Sequence, residues 1–246
     1  MRISAIVASR MTSSRLPGKI LMDLSGEPAL VRLIERLKRS KYLHQIVIAT
    51  TINKDDDIVV ETAKKNGILY YRGSEEDVLL RHVEAAVATN TDLIVHITSD
   101  CPLLDTETID RVIEHKLENP YLDFVANDIF QTYPLGYSVE VFSTETLKEV
   151  EKLTQDSADR EHVSLYMYER PKQYHLSNVE APFFLRHPEY RLTLDTQQDY
   201  ELISHIYNVL YPIKYDFNLY DIVRYLQNND HILALNSDIQ QKRARP

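Results

Sequence analysis

The chain has 246 residues, 43% of them hydrophobic, and a formal net charge of −9, which is enough for one large α/β domain with a full core. The acidic balance, with no dominant basic face, excludes a general nucleic-acid binder, and the single cysteine, Cys101, excludes a disulfide framework or a thiolate metal cluster. The chain starts directly on a strand-like run and contains no apolar run of membrane-spanning length, so a soluble cytoplasmic protein without a membrane partner is expected.

Taken in order, Ile3–Ala8 reads as a short buried strand. The stretch 8–19, Ala-Ser-Arg-Met-Thr-Ser-Ser-Arg-Leu-Pro-Gly-Lys, then reads as a loop, and a helix follows from Pro28 through Leu37. Residues 45–50 form a second strand. The acids Asp55, Asp56 and Asp57 open a helix that stops at Gly67, and they read as a solvated run at its N-terminus rather than a metal site. A third strand covers 68–71, and a capping-box pattern from Ser74 to Asp77 starts a helix reaching Ala88. Residues 92–98 make a fourth strand and 106–117 a helix. Four strand–helix units in succession predict a doubly wound parallel sheet.

The second half differs in character. Strands are predicted at 122–126 and 137–142, with short ones at 174–179 and 191–194. Helices are predicted at 144–153, around 160–169, at 196–210 behind a Thr196 to Asp199 capping pattern, and at 219–226. The sheet is therefore expected to be mixed. A single domain over 1–240 is expected, with a nucleotide-binding half at 1–120, an acceptor-binding part at 121–240 and a frayed basic tail at 241–246.

The loop after the first strand carries Arg10, Arg15 and Lys19 among the hydroxyls of Ser9, Thr12, Ser13 and Ser14. Backbone N–H groups and hydroxyls donate to phosphate oxygens while Arg and Lys neutralise them, and open α/β sheets bind ligands at strand carboxyl ends. Asp100 lies just past the fourth strand, where a carboxylate facing phosphates would hold Mg²⁺, although a turn Asp before Pro102 is the plain alternative. Asp195 is a second candidate, and it reads equally well as a helix-terminus acid; Asp77 has the same ambiguity. His96 alternates with apolar neighbours and reads as a core histidine, and His162 alone reads as a surface residue. No dinucleotide, P-loop, zincin or hydrolase motif is present.

These residues resemble the signature of the sugar-acid cytidylyltransferases, the CMP-KDO and CMP-sialate synthetases. The spore coat polysaccharide biosynthesis F group of that family is similar over residues 1 to about 200. The resemblance rests on the stretch 8–19, on Arg72 to Arg81, on 99–103, on 140–142, on 160–163 and on 194–199. It implies a Rossmann-like, GT-A-type nucleotidyltransferase fold and transfer of CMP from CTP to a sugar acid, with Mg²⁺ as cofactor and a homodimer as the assembly. It also implies site roles. Ala8, Ser9, Arg10, Arg15 and Lys19 would meet CTP, with Arg10 and Lys19 on the phosphates. Asp100 and Asp195 would hold the metal. Arg72, Asp77, Arg81 and Ser99 would lie near the nucleotide and sugar, and Glu140, Arg160 and His162 near the acceptor. Ser99 and Thr12 stand where glycine is usual. Two other classes stay open: a glycosyltransferase that consumes a nucleotide sugar on the same scaffold, and a non-catalytic nucleotide-binding subunit.

Overall fold

Seven strands build one sheet in the computed structural model, which describes residues 1–242, 244 and 245. They are β1 (Ile3–Ala8), β2 (Gln45–Thr51), β3 (Leu69–Gly73), β4 (Leu93–Thr98), β5 (Phe124–Ala126), β6 (Glu140–Ser143) and β7 (Leu176–Asn178). Their spatial order is β3-β2-β1-β4-β6-β5-β7. The first four are parallel, β6 runs antiparallel to both β4 and β5, and β7 pairs parallel with β5. The sheet is thus mixed. The chain steps outward from β1 to β3 and then returns to place β4 on β1's other side. The carboxyl ends of β1 and β4 are therefore the switch point where such sheets open a crevice.

Each strand alternates its side chains between two cores. Ala5 and Val7 of β1 and Val95 and Ile97 of β4 face one side, where α1 (Ala29–Leu37), α4 (Thr106–Glu118), α8 (Gln197–Leu210) and α9 (Leu219–Leu226) pack. Ile6 and Ile94 face the other, against α3 (Val78–Ala88) and α5 (Thr144–Leu153). α2 (Asp57–Lys65) buries Val59 and Ala63 on the first side. Side-chain caps start several helices: Asp77 accepts from Leu80 N–H, Asp105 from Thr108 N–H and Ser143 from Thr146 N–H.

Three expectations change. The helix expected around 160–169 is two short pieces, α6 (Ser157–Glu161) and α7 (Leu165–Tyr168), broken at His162. The strand expected at 191–194 is a single bridge, Leu135 to Arg191, beside the turn at Gly136. Gly136 has φ 96°, and a β-carbon there would lie 2.5 Å from the Leu192 carbonyl oxygen. The tail expected to fray is held at Arg245, where Asp156, Asp159 and Glu169 converge at 2.8, 2.6 and 3.0 Å; residues 243 and 246 lie outside the described residues.

Candidate active site

The loop that leaves β1 is fixed at several points. Ser9 N–H donates to Ala49 in β2 and Ser99 N–H donates to Ala8, so the β1 and β4 ends are tied together. Gly18 takes a left-handed conformation (φ 72°), and its N–H returns to the Met11 carbonyl at 3.0 Å. That reversal starts a single 3₁₀ turn at Lys19–Leu21 and buries the Lys19 side chain. The loop's other end is held from outside: Asp56 accepts the Met11 N–H at 2.7 Å and also binds the Thr51 hydroxyl and N–H. Asp56 is fully buried. The reading of Asp55 to Asp57 as wholly solvated is therefore corrected at its middle member, which serves the loop.

Two carboxylates meet below this loop. Lys19 Nζ donates to Asp100 at 2.8 Å and to Asp195 at 2.7 Å. Asp100 is positioned by the Thr98 hydroxyl at 2.6 Å and through its own carbonyl, which accepts Leu194 N–H. Asp195 also receives Arg15 at 2.7 Å and Arg191 at 3.2 Å. Arg191 is shared with the fully buried Asp199, which in turn accepts the N–H groups of Asp195 and Thr196. Burial works against the Lys19 charge, but the two carboxylates outweigh it and raise its pKa. Burial likewise opposes the Asp100 charge, and Lys19 reverses it, so Asp100 titrates below the usual carboxylate range.

A pocket of about 530 Å³ opens above this centre, within the size range of small-molecule sites. Ala8, Ser9, Arg10, Arg15, Lys19, Arg81, Ser99, Asp100, His162 and Asp195 all line it. The Ser9 hydroxyl is buried there without a partner among the described residues. Arg81 is 1% exposed, and burial, reinforced by Arg10, pulls its pKa down to about 10. Glu140 lines a smaller cavity behind, shared with His162.

Three residues expected near the ligands sit elsewhere. Arg72 binds the Thr51 and Asn53 carbonyls and Asp57, stapling the loop after β2. Asp77 caps α3. Arg160 is held by Glu151 at 3.0 Å and Asp77 at 3.6 Å, so these two support α3 and α6 from behind the pocket. Sequence reasoning missed Asp56, Arg191 and Asp199. For Asp199 the available signal was the Thr196…Asp199 capping pattern, which the structure carries as a capping box; for Arg191, in an extended segment, no local spacing signals its partners. For Asp56 nothing in the sequence separates it from its exposed neighbours.

Comparisons with known proteins bear on the family to which the chain belongs. A cytidylyltransferase family model matches residues 4–234. The spore coat polysaccharide biosynthesis protein SpsF of Bacillus subtilis is 35% identical over 82% of this chain and 85% of its own. The 3-deoxy-manno-octulosonate cytidylyltransferase of Geobacter sulfurreducens is 32% identical over 49% of this chain and 47% of its own. A solved cytidylyltransferase from Leptospira borgpetersenii superposes with a TM-score of 0.90 at 30% identity, covering 99% of this chain and 100% of that one.

Proposed function

The chain belongs to the cytidylyltransferase family, and from that premise we propose that it transfers CMP from CTP to the anomeric hydroxyl of a sugar acid, for a cell-surface or spore-coat polysaccharide. The observation that carries this reading is Lys19 held between Asp100 and Asp195 at the switch point of the sheet. In the reaction the acceptor oxygen forms a bond to the α-phosphorus, the bond to the bridging oxygen breaks, and pyrophosphate leaves with the electron pair. Positioning and charge stabilisation suffice for such a transfer.

Lys19 and Arg10 stabilise charge gathering on the leaving pyrophosphate. Ser9 and Ser99 offer donors, and Arg81 adds a buried cation on the wall of the same pocket. Asp100 and Asp195 present only oxygen atoms, and among the described residues no third His, Cys, Asp or Glu joins them in a metal-binding group. That donor set fits Mg²⁺, which takes one or two carboxylates and completes its shell with phosphate oxygens and water. When bound, the ion would neutralise phosphate charge and polarise the reacting phosphorus. Arg15 and Arg191 fix the Asp195 carboxylate for that role.

No helix among the described residues is long and apolar enough to cross a membrane. The same reading places the enzyme in the cytoplasm with CTP, as a homodimer. The experiment is a thermal-shift panel of CTP, UTP, GTP and ATP, each with and without Mg²⁺, followed by pyrophosphate release on adding sugar acids. A ligand at 100 times its dissociation constant stabilises by about 2.7 kcal/mol. A Mg²⁺-dependent response to CTP supports the reading. Response to another nucleotide alone, or release of a nucleoside diphosphate from a nucleotide sugar, overturns it.

A further inference from the structure

Behind the nucleotide pocket lies a second cavity of about 230 Å³, continuous with it through Ala8, Thr98, Ser138 and His162. It is smaller than a whole-ligand site, so it extends the first pocket rather than standing alone. It is lined by His96, Asp128, Glu140, Glu161, Ser164 and Tyr168, and among the described residues no Lys or Arg lines it. His96 supplies no charge: burial pushes its pKa down to about 4, and its Nδ1 is engaged with His82 at 3.1 Å. Among the described residues the Glu140 Oε2 is buried with no hydrogen-bond partner, although Ser164 hydrogen-bonds the same carboxyl, and His96 Nε2 lies 4.0 Å away. Burial raises both carboxyl pKa values, that of Glu140 to about 8. A buried acceptor left unpaired beside an open cavity marks a place where a ligand donor is missing.

We propose that this inner cavity receives the far end of the acceptor and that Asp128 and Glu140 select an amine there. The proposal rests on the cytidylyltransferase reading above. In a 2-keto sugar acid the carboxylate is attached to the anomeric carbon, whose hydroxyl attacks the phosphorus. The reacting end and its carboxylate therefore stay in the outer pocket, where Arg10 and Arg81 lie, and the other end enters the acid-lined cavity. An ammonium brings three donors and a compensating charge to Asp128 and Glu140, whereas a hydroxyl brings one donor. A second carboxylate or a phosphate at that end is repelled.

The test compares 3-deoxy-manno-octulosonate with its analogue carrying an amine in place of the terminal hydroxyl. Pyrophosphate release is followed with CTP and Mg²⁺, in the wild type and in Glu140→Gln and Asp128→Asn. The expected result is a kcat/KM about tenfold higher for the amine in the wild type, from a charged rather than a neutral hydrogen bond, falling to near parity in Glu140→Gln. Equal use of both, use of neither, or a preference that survives in both variants overturns the proposal. The CTP-induced thermal shift is recorded alongside in every protein. Its loss in the wild type marks failure of the cytidylyltransferase reading itself, and its retention in the variants shows that they are folded.

Discussion

Lys19 Nζ sits 2.7 Å from Oδ1 of Asp195, and this contact joins the first loop of the chain to its last strand-like segment. The same ammonium reaches Asp100 at 2.8 Å, so one cation draws two carboxylates together. Replacing it with Met keeps the apolar stem and removes the charge. Lys19→Met is expected to lower kcat by about 10²–10³, the cost of losing one charge-stabilising contact, while CTP still produces a thermal shift. An unchanged turnover number, measured by pyrophosphate release, would remove Lys19 from the mechanism.

Asp195 and Asp199 have separable roles. Asp199 is fully buried and accepts from Arg191 at 2.8 and 3.0 Å and from Asn236 at 2.8 Å. Asp199→Ala leaves Arg191 short of a buried partner and should cost about 3–5 kcal/mol, a fall in Tm of roughly 10 °C. Asp195→Asn keeps the shape of its side chain. It should melt within a few degrees of the wild type and lose the Mg²⁺ dependence of the CTP shift. Equal destabilisation by the two changes would contradict this division.

Much of this architecture can be read from the residues alone, and the reason is the strength of the periodic signals. β1, β2 and β4 are runs of apolar residues between turn signals, and Asp105 and the Thr196 capping pattern announce the helices behind them, whereas the pattern at Ser74 places its helix early, the cap being Asp77. The segments read less well are those whose form depends on distant contacts. Residues 191–194 look like a strand, but they make a single bridge, to Leu135, and turn instead to serve Asp100 through the Leu194 N–H. Asp56 looks like its neighbours Asp55 and Asp57 until the fold brings Met11 to it. Arg72, within a stretch quoted for the family resemblance, engages each of its three guanidinium nitrogens with Thr51, Asn53 and Asp57.

The Asp56 anchor gives a prediction on binding. Asp56→Asn weakens the acceptor that fixes Met11 N–H and, through it, the phosphate-facing loop. A raised KM for CTP with a smaller change in kcat is expected, since a loosened loop must be ordered by the ligand. Steady-state kinetics at saturating acceptor decide the matter, and a change confined to kcat would argue that the loop is rigid without this contact.

Arg72→Ala provides the contrast. Its three contacts are structural, and none faces the pocket. The variant should lose Tm while keeping its KM for CTP. A severalfold rise in KM without a loss of Tm would return Arg72 to the ligand site.

Glu140 makes the stability pH-dependent in a predictable direction. Its pKa in the folded protein is about 8, raised by burial and by Asp128, whereas an ordinary Glu titrates near 4.3. The folded state therefore holds a proton that the unfolded chain releases, and the stabilisation present at low pH is lost as pH rises toward and through 8. The His96 ring, lowered to about 4, acts oppositely between pH 4 and about 6.5, so the comparison is made against a variant. From pH 6 to 9, Tm should fall more in the wild type than in Glu140→Gln. Parallel curves would show that Glu140 is ionised at neutral pH.

The contact between Lys19 and Asp195 spans 176 positions of sequence, and this has a consequence for the order in which the protein matures. During synthesis the parallel strands β1 to β4 emerge first, while α8 and α9, which cover one face of them, come late. At that stage the chain already displays the cationic loop and Asp100, but the second carboxylate has not left the ribosome. Long-range closure of this kind is slow because the loop entropy is spent before the contact forms. Formation of the sheet and completion of the Lys19–Asp100–Asp195 cluster are thus separate events.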